Sequence, residues 1–347
     1  MSKKINVGII GAGKIGKLHA NNLSTFAEVK IRAISDVYID QMTDWVSTFG
    51  VDYVTTDYKD ILHDPEIDAV LVCTPTKMHV EIVLEAATFK KHVFCEKPIS
   101  FILEDTLKVL RAVKDAGILF QVGFVRRFDH NFKKVYELVR QGRIGTPHII
   151  HIFSRDPEPA PKEYVKHSGG MPFDMTIHDF DMIRYLTQFE VEEVYAQGSV
   201  LIDEFFRECN DIDTAVYLLR FTNGSLGVID NSRKAEYGYD QRVEVFGSRG
   251  SITIKNDVDN SAEVMTKEGV LSEKPKWFYL ERYNEAFKEE LKSFLKCIVT
   301  GQEPIVNGND GLQAELMAHA AARSLKEGRP VKIQEILLES TGRIPRL

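Results

Sequence analysis

Cysteine is scarce in this chain. Four residues, Cys73, Cys95, Cys209 and Cys297, are scattered over 347 positions, and none forms a C-x-x-C pair. That spacing argues against a disulfide framework and against a cysteine-held metal, and Cys73 and Cys95 sit in apolar runs that suit small buried hydrophobes. No stretch approaches the roughly eighteen consecutive apolar residues of a membrane span. The apolar run before Gly11 is too short for a signal-peptide core, so a soluble, cytoplasmic protein with no membrane partner is expected. Basic runs are absent and the net charge is −7, which excludes an electrostatic footprint for nucleic acid. There is no H-E-x-x-H and no convincing third ligand around any histidine, so no metal is expected. Internal repeats, low-complexity tracts and long linkers are also missing.

What is present suits two domains. A chain 44% hydrophobic and 27% charged has material for substantial cores. Its first strand, Ile5–Ile10, runs into Gly11-x-Gly13-x-x-Gly16 and then a helical pattern. In that order Gly11 permits a tight turn, Gly13 admits a pyrophosphate and Gly16 allows close helix packing. Phosphates would then meet the free N–H groups of the helix start. A glycine turn alone is weak evidence, but a second strand ends at Asp36, twenty residues beyond Gly16. A carboxylate there accepts from ribose hydroxyls and repels a 2′-phosphate, which makes NAD the expected cofactor ahead of NADP.

Further strands ending at Thr74-Pro75 and Glu96-Lys97-Pro98 alternate with helices up to about residue 123. This predicts a Rossmann-type, doubly wound parallel sheet over residues 1–123. Strand carboxyl ends border the ligand in such a sheet. Lys97 could there stabilise the charge that develops on an alcohol oxygen as hydride leaves, or it could simply end a strand in solvent. From 124 to 347 the pattern changes. Strands follow one another around Asn223-Gly224 and Ser248-Arg249-Gly250, which predicts hairpins and an α+β domain built on a large, mostly antiparallel open sheet. Two late helices, near Asn284–Thr300 and Gly308–Glu327, are expected to return to the core, with the last ones packing back on the first domain.

Gly169-Gly170-Met171-Pro172 marks a helix start. It places Asp174 and His178 at i and i+4, on one face of one helix. A histidine suits proton abstraction near neutral pH and a neighbouring carboxylate can orient it, although a solvated pair, a core histidine or a metal face would look similar. Arg126-Arg127, Arg155-Asp156 and Tyr237 are polar clusters able to hydrogen-bond a neutral polyol, or to remain solvated.

Together, Gly11-x-Gly13-x-x-Gly16-x-x-His19-Ala20, Cys73-Thr74-Pro75 with His79, Glu96-Lys97-Pro98, and Gly169-Gly170 followed by Asp174 and His178 resemble the Gfo/Idh/MocA oxidoreductase family across essentially the whole chain. Phe124-Val125-Arg126-Arg127-Phe128-Asp129 and Tyr237-Gly238-Tyr239-Asp240 resemble its bacterial inositol 2-dehydrogenases. The resemblance implies NAD-dependent oxidation of a ring hydroxyl of myo-inositol to the ketone. Alternatives are a scyllo-inositol or aldose dehydrogenase, an NAD-dependent glycoside hydrolase and, from a different class, a non-catalytic NAD sensor. It assigns Lys97, Asp174 and His178 to catalysis. Gly11, Gly13, Lys14, Ile15, Gly16, Asp36, Thr74, Pro75, His79, Glu96 and Lys97 are assigned to the cofactor, and Arg127, Arg155, Asp156 and Tyr237 to the small polyol substrate. A homotetramer joined through the open sheet faces is also implied.

Overall fold

The computed structural model describes residues 4–341, which divide into two compact units. The first comprises 4–125 and 285–313, the second 126–284 and 314–341.

Six parallel strands build the first unit: β1 (Ile5–Ile10), β2 (Val29–Ser35), β3 (Tyr53–Thr55), β4 (Ala69–Val72), β5 (His92–Glu96) and β6 (Phe120–Gly123), in the order β3-β2-β1-β4-β5-β6. β1 pairs with both β2 and β4, so the winding reverses there and opens a crevice beyond its carboxyl end. Every residue of β4 is buried, because helices cover both faces of the sheet. The helix Asn284–Thr300 adds Leu291, Phe294 and Leu295 to a core shared with Ile5, Val7, Ile9, Leu71 and Phe94. Farther along, Gly308 and Gly311 lie against Phe120 and Ile99, where a Cβ would come within 3.0 Å.

The second unit is organised on a seven-stranded sheet. Its strands are β7 (Pro147–Arg155), β8 (Val191–Ser199), β9 (Thr214–Phe221), β10 (Leu226–Ser232), β11 (Asp240–Gly247), β12 (Gly250–Ile254) and β15 (Val331–Lys332), ordered β12-β11-β7-β10-β9-β8-β15. β13 (Glu263–Thr266) and β14 (Gly269–Ser272) form a separate exposed hairpin. Asn223-Gly224 turns β9 into β10 with Gly224 at φ +86°, and Ser248-Arg249 joins β11 to β12. All pairings in the large sheet are antiparallel except β7 with β10, whose parallel register runs from Ile149–Leu226 to Arg155–Ser232.

The helix Thr176–Thr187 lies on one face of this sheet, with Ile183 against Gly227. The other face carries exposed apolar rows. Phe246, Ile149 and Leu226 are register neighbours across three strands, and Leu218 and Val216 extend the patch on β9.

One expectation is corrected. Met171–Asp174 and Thr176–Thr187 are separate helices, broken at Met175 (φ −100°, ψ −58°), so Asp174 and His178 do not share one helix. Tertiary anchors impose the break. Asp211 accepts the Met171 N–H, while Thr176 donates to Asn231 at 2.6 Å and contacts the Tyr217 hydroxyl.

Phe294→Ala should lower unfolding stability by about 3–5 kcal/mol, because it empties the first unit's core rather than trimming a surface helix. A denaturant titration monitored by circular dichroism checks this, and a loss under about 1 kcal/mol would place Phe294 outside that core.

Candidate active site

In the first unit the residues gather at the carboxyl edge of the sheet. Gly11 has φ +95°, and a Cβ on it would stand 2.7 Å from the Cys73 carbonyl carbon, so the turn after β1 can press against the end of β4 only as glycine. A Cβ on Gly16 would fall 2.0 Å from the Gly11 carbonyl oxygen. Gly13 differs, since no heavy atom lies within 4 Å of where its Cβ would be. It caps the helix Lys14–Leu23, and as glycine it offers the helix start no side-chain cap. Lys14 is exposed and Ile15 half-buried beside it.

Asp36, immediately after β2, accepts from the Ala12 N–H at 2.7 Å and the Tyr38 N–H at 2.9 Å, which aims its carboxylate at the glycine turn. Val37 and Tyr38 beside it are 71% and 62% exposed, an apolar ledge suited to a purine. Arg32, the nearby cation on β2, is engaged by Asp64 and Asp52. This edge therefore fits an NAD-type dinucleotide, with a helix start bearing no side-chain cap for phosphate and a carboxylate for ribose.

Two histidines tie the neighbouring turns together. The His79 ring spans the Thr74 carbonyl oxygen at 2.9 Å and the Pro98 carbonyl oxygen at 2.8 Å, linking the turns after β4 and β5. Burial pushes the His79 imidazole down, against the pull of both carbonyls. His19 places Nε2 2.8 Å from Glu96 Oε1. Thr74, Glu96 and Lys97 are half-buried and Pro75 is exposed, so the expected first-unit residues share one edge.

The second unit presents Asp174 and His178. Within Met171–Arg184 every other side chain is buried, and these two retain partial solvent access. The Asp174 carboxylate accepts from the Tyr164 hydroxyl at 2.7 Å and from Arg233 Nη1 at 2.8 Å. Arg233 is 1% exposed and also meets Asp211 at 3.3 Å. Asp156 lies in the field of Arg233, Asp174, Arg126 and Asp179, and burial pushes its carboxyl up to about 6.

Arg155 and Tyr237 are brought together. Arg155 Nη1 donates to the Tyr237 hydroxyl at 3.1 Å while its other nitrogens hold Asp230, and the Tyr237 hydroxyl donates to Asp240 at 2.6 Å. Arg127 sits elsewhere. It is buried, donates Nε and Nη2 to Asp181, and lies 5.0 Å from the Tyr185 ring.

Its neighbour Arg126 is likewise buried, paired with Asp179, which also accepts from Asn231. Burial disfavours the Arg126 cation, but Asp179 outweighs that and holds it charged. Sequence reasoning missed Arg233, Tyr164, Asp211 and Asp179, because each reads as an ordinary polar residue until its distant partner is known.

Comparison with known proteins fits this arrangement. Residues 5–124 match the oxidoreductase family, NAD-binding Rossmann fold, and residues 132–253 match the GFO/IDH/MocA C-terminal domain. An uncharacterised oxidoreductase of Bacillus subtilis is 52% identical over 96% of this chain and 98% of its own. The myo-inositol 2-dehydrogenase of Thermotoga maritima is 47% identical over 96% of this chain and all of its own. The crystal structure of scyllo-inositol dehydrogenase from Lactobacillus casei with bound NAD(H) and scyllo-inositol superposes with a TM-score of 0.90 at 30% identity, covering 96% of this chain and 100% of that one.

Arg126→Met should cost about 3–5 kcal/mol by stranding Asp179, and Arg126→Met/Asp179→Leu should recover most of it. Denaturant unfolding of both variants measures the difference, and an additive double mutant would sink the pairing argument. A folded-state Asp156 raised to about 6 is favoured while protonated. Its contribution is therefore fully present below the unfolded value of about 3.9 and is lost as pH rises through 6. Asp156→Asn should gain thermal stability relative to the parent across that window, and parallel melting curves at each pH would refute it.

Proposed function

The chain belongs to the GFO/IDH/MocA oxidoreductase family, and on that footing we propose that it is an NAD-dependent dehydrogenase oxidising one ring hydroxyl of myo-inositol to the ketone. The observation that carries the reading is the partial access of Asp174 and His178 alone within an otherwise buried Met171–Arg184 segment.

The helix start at Gly13–Gly16 would receive the pyrophosphate, Asp36 the ribose hydroxyls and the Val37–Tyr38 ledge the adenine. Thr74, Pro75, His79 and Glu96 shape the edge from which Lys97 projects. NAD, when bound, supplies the acceptor for the hydride that leaves the carbinol carbon. Lys97 Nζ donates a hydrogen bond to the reacting oxygen and stabilises its developing negative charge. A ring nitrogen of His178 takes the hydroxyl proton. Asp174 is fixed by Arg233 and Tyr164, and it orients His178 or an adjacent substrate hydroxyl. Arg155, Asp156 and Tyr237 hydrogen-bond the remaining hydroxyls, where an arginine already paired with Asp230 suits a neutral polyol. Arg127 supports the His178 helix through Asp181.

A scyllo-inositol preference is the second reading, favoured by the likeness to the Lactobacillus casei enzyme. We further propose a cytoplasmic homotetramer assembled through the apolar rows of Phe246, Ile149, Leu226, Leu218 and Val216. Their 43–50% exposure leaves a contiguous patch of the kind buried in assemblies. No helix among the described residues is long and apolar enough to cross a membrane.

An NADH-formation screen over myo-, scyllo- and chiro-inositol with glucose and xylose tests the proposal. Turnover of a cyclitol is expected, and its absence with all three would overturn the assignment. Lys97→Ala should lower kcat by about 100-fold or more, with the Kd for NAD unchanged within about twofold. Asp36→Ala should weaken NAD and narrow its advantage over NADP, both read by fluorescence titration.

A further inference from the structure

Glu290, on the helix Asn284–Thr300, is 0% exposed, and neither carboxyl oxygen meets a donor among the described residues. The nearby amide, Gln121 Nε2, donates instead to the Glu290 backbone carbonyl at 3.1 Å. The charged side chain acting on Glu290 is another carboxyl, Glu96, at the end of β5. Cys73 lies in the field of both carboxyls and of Cys95, and burial pushes its thiol far up, so it stays neutral. The helix Lys14–Leu23 contributes His19, which is engaged with Glu96.

A carboxylate in such a place, with no donor and facing a second carboxyl, is far less favourable than the neutral acid. Of the two, Glu96 is better suited to the charge. Its side chain is 17% exposed and Oε1 has the His19 ring at 2.8 Å. Glu96 is also confined. Its Oε2 is 2.8 Å from where a Cβ on Gly123 would stand, and His19 closes the other side, so repulsion from Glu290 has little local relief. The backbone that carries Glu96 continues directly into Lys97.

We propose that Glu290 keeps its proton at neutral pH and acts as a positioning residue for the Glu96–Lys97 turn. As a neutral acid it leaves Glu96 seated on His19. Ionised, it would drive Glu96, and with it the Lys97 backbone, out of place. Burial first, and then Glu96, push the Glu290 carboxyl well above its ordinary range, in the direction this geometry requires. The positioning role rests on the reading of Lys97 as a catalytic group, whereas the location of the proton does not.

Infrared spectroscopy of the full-length protein tests the proton directly. A protonated-carboxyl C=O stretch should be present at neutral pH, be absent from Glu290→Gln, and disappear from the parent only at alkaline pH. Should Glu290→Gln fail to fold, Glu96→Gln serves instead, since removing the facing charge should move that disappearance to lower pH. No difference band in Glu290→Gln, or no shift in Glu96→Gln, would overturn the assignment. For positioning, Glu290→Gln should retain kcat at neutral pH within about twofold and lose part of the parent's alkaline decline, with the KM for NAD unchanged. Superimposable pH profiles would leave the proton in place and refute the positioning role. Full turnover by Lys97→Ala alongside the expected infrared band would instead refute the reading of Lys97.

Discussion

The second unit depends on one arrangement, a pair of adjacent arginines gripping two aspartates on the helix that carries His178. Arg126 takes Asp179 and Arg127 takes Asp181. Two residues along an α-helix are about 200° apart around its axis, so the pairs hold nearly opposite flanks. Rolling the helix would pull at least one guanidinium from its carboxylate in a dry environment, where an uncompensated charge is expensive. The gain is in orientation more than in net stability. Isosteric apolar residues could fill the same volume, but they would define the rotation of the helix less sharply. Because His178 immediately precedes Asp179, its direction is set by the same clamp.

Around that clamp the buried polar groups form a chain. Asn231 on β10 donates to Asp179 and accepts from Thr176, so the sheet reads the start and the first turn of the helix together. Arg233, two residues further, reaches Asp174 and Asp211. The strand end at 231–233 therefore sets both sides of the break at Met175, and Asp174 and His178 keep their separate anchors. In the first unit the corresponding task falls to His19 and His79, which tie turns from three strands through a carboxylate and two backbone carbonyls.

Much of the architecture is legible in the residues themselves. Parallel strands buried on both faces read as unbroken apolar runs, and glycine turns announce themselves where a Cβ has no room, as at Gly11 and Gly16. The hairpins at Asn223-Gly224 and Ser248-Arg249 are local and equally plain. The β7–β10 parallel pair is not, because it depends on strands separated by a helical excursion and a complete meander. The break at Met175 has no glycine or proline to mark it, and it comes from partners on other elements. Burial of Arg126, Arg127, Arg233 and Arg282 is similarly hidden, since their carboxylates lie 22 to 153 residues away. In a linear reading each looks like a solvated charge.

The division of the first unit between 4–125 and 285–313 has a consequence for how the molecule is made. During synthesis the amino-terminal strands emerge well before Leu291, Phe294 and Leu295, the side chains that complete their core. A nascent Rossmann sheet must therefore wait, with apolar surface open, until the intervening domain has been translated. That domain's second sheet is in hand before the first is finished, apart from its edge strand β15, which arrives last. In order of synthesis the first unit is thus completed after the middle of the chain, and the dinucleotide edge is among the later features to gain its full support.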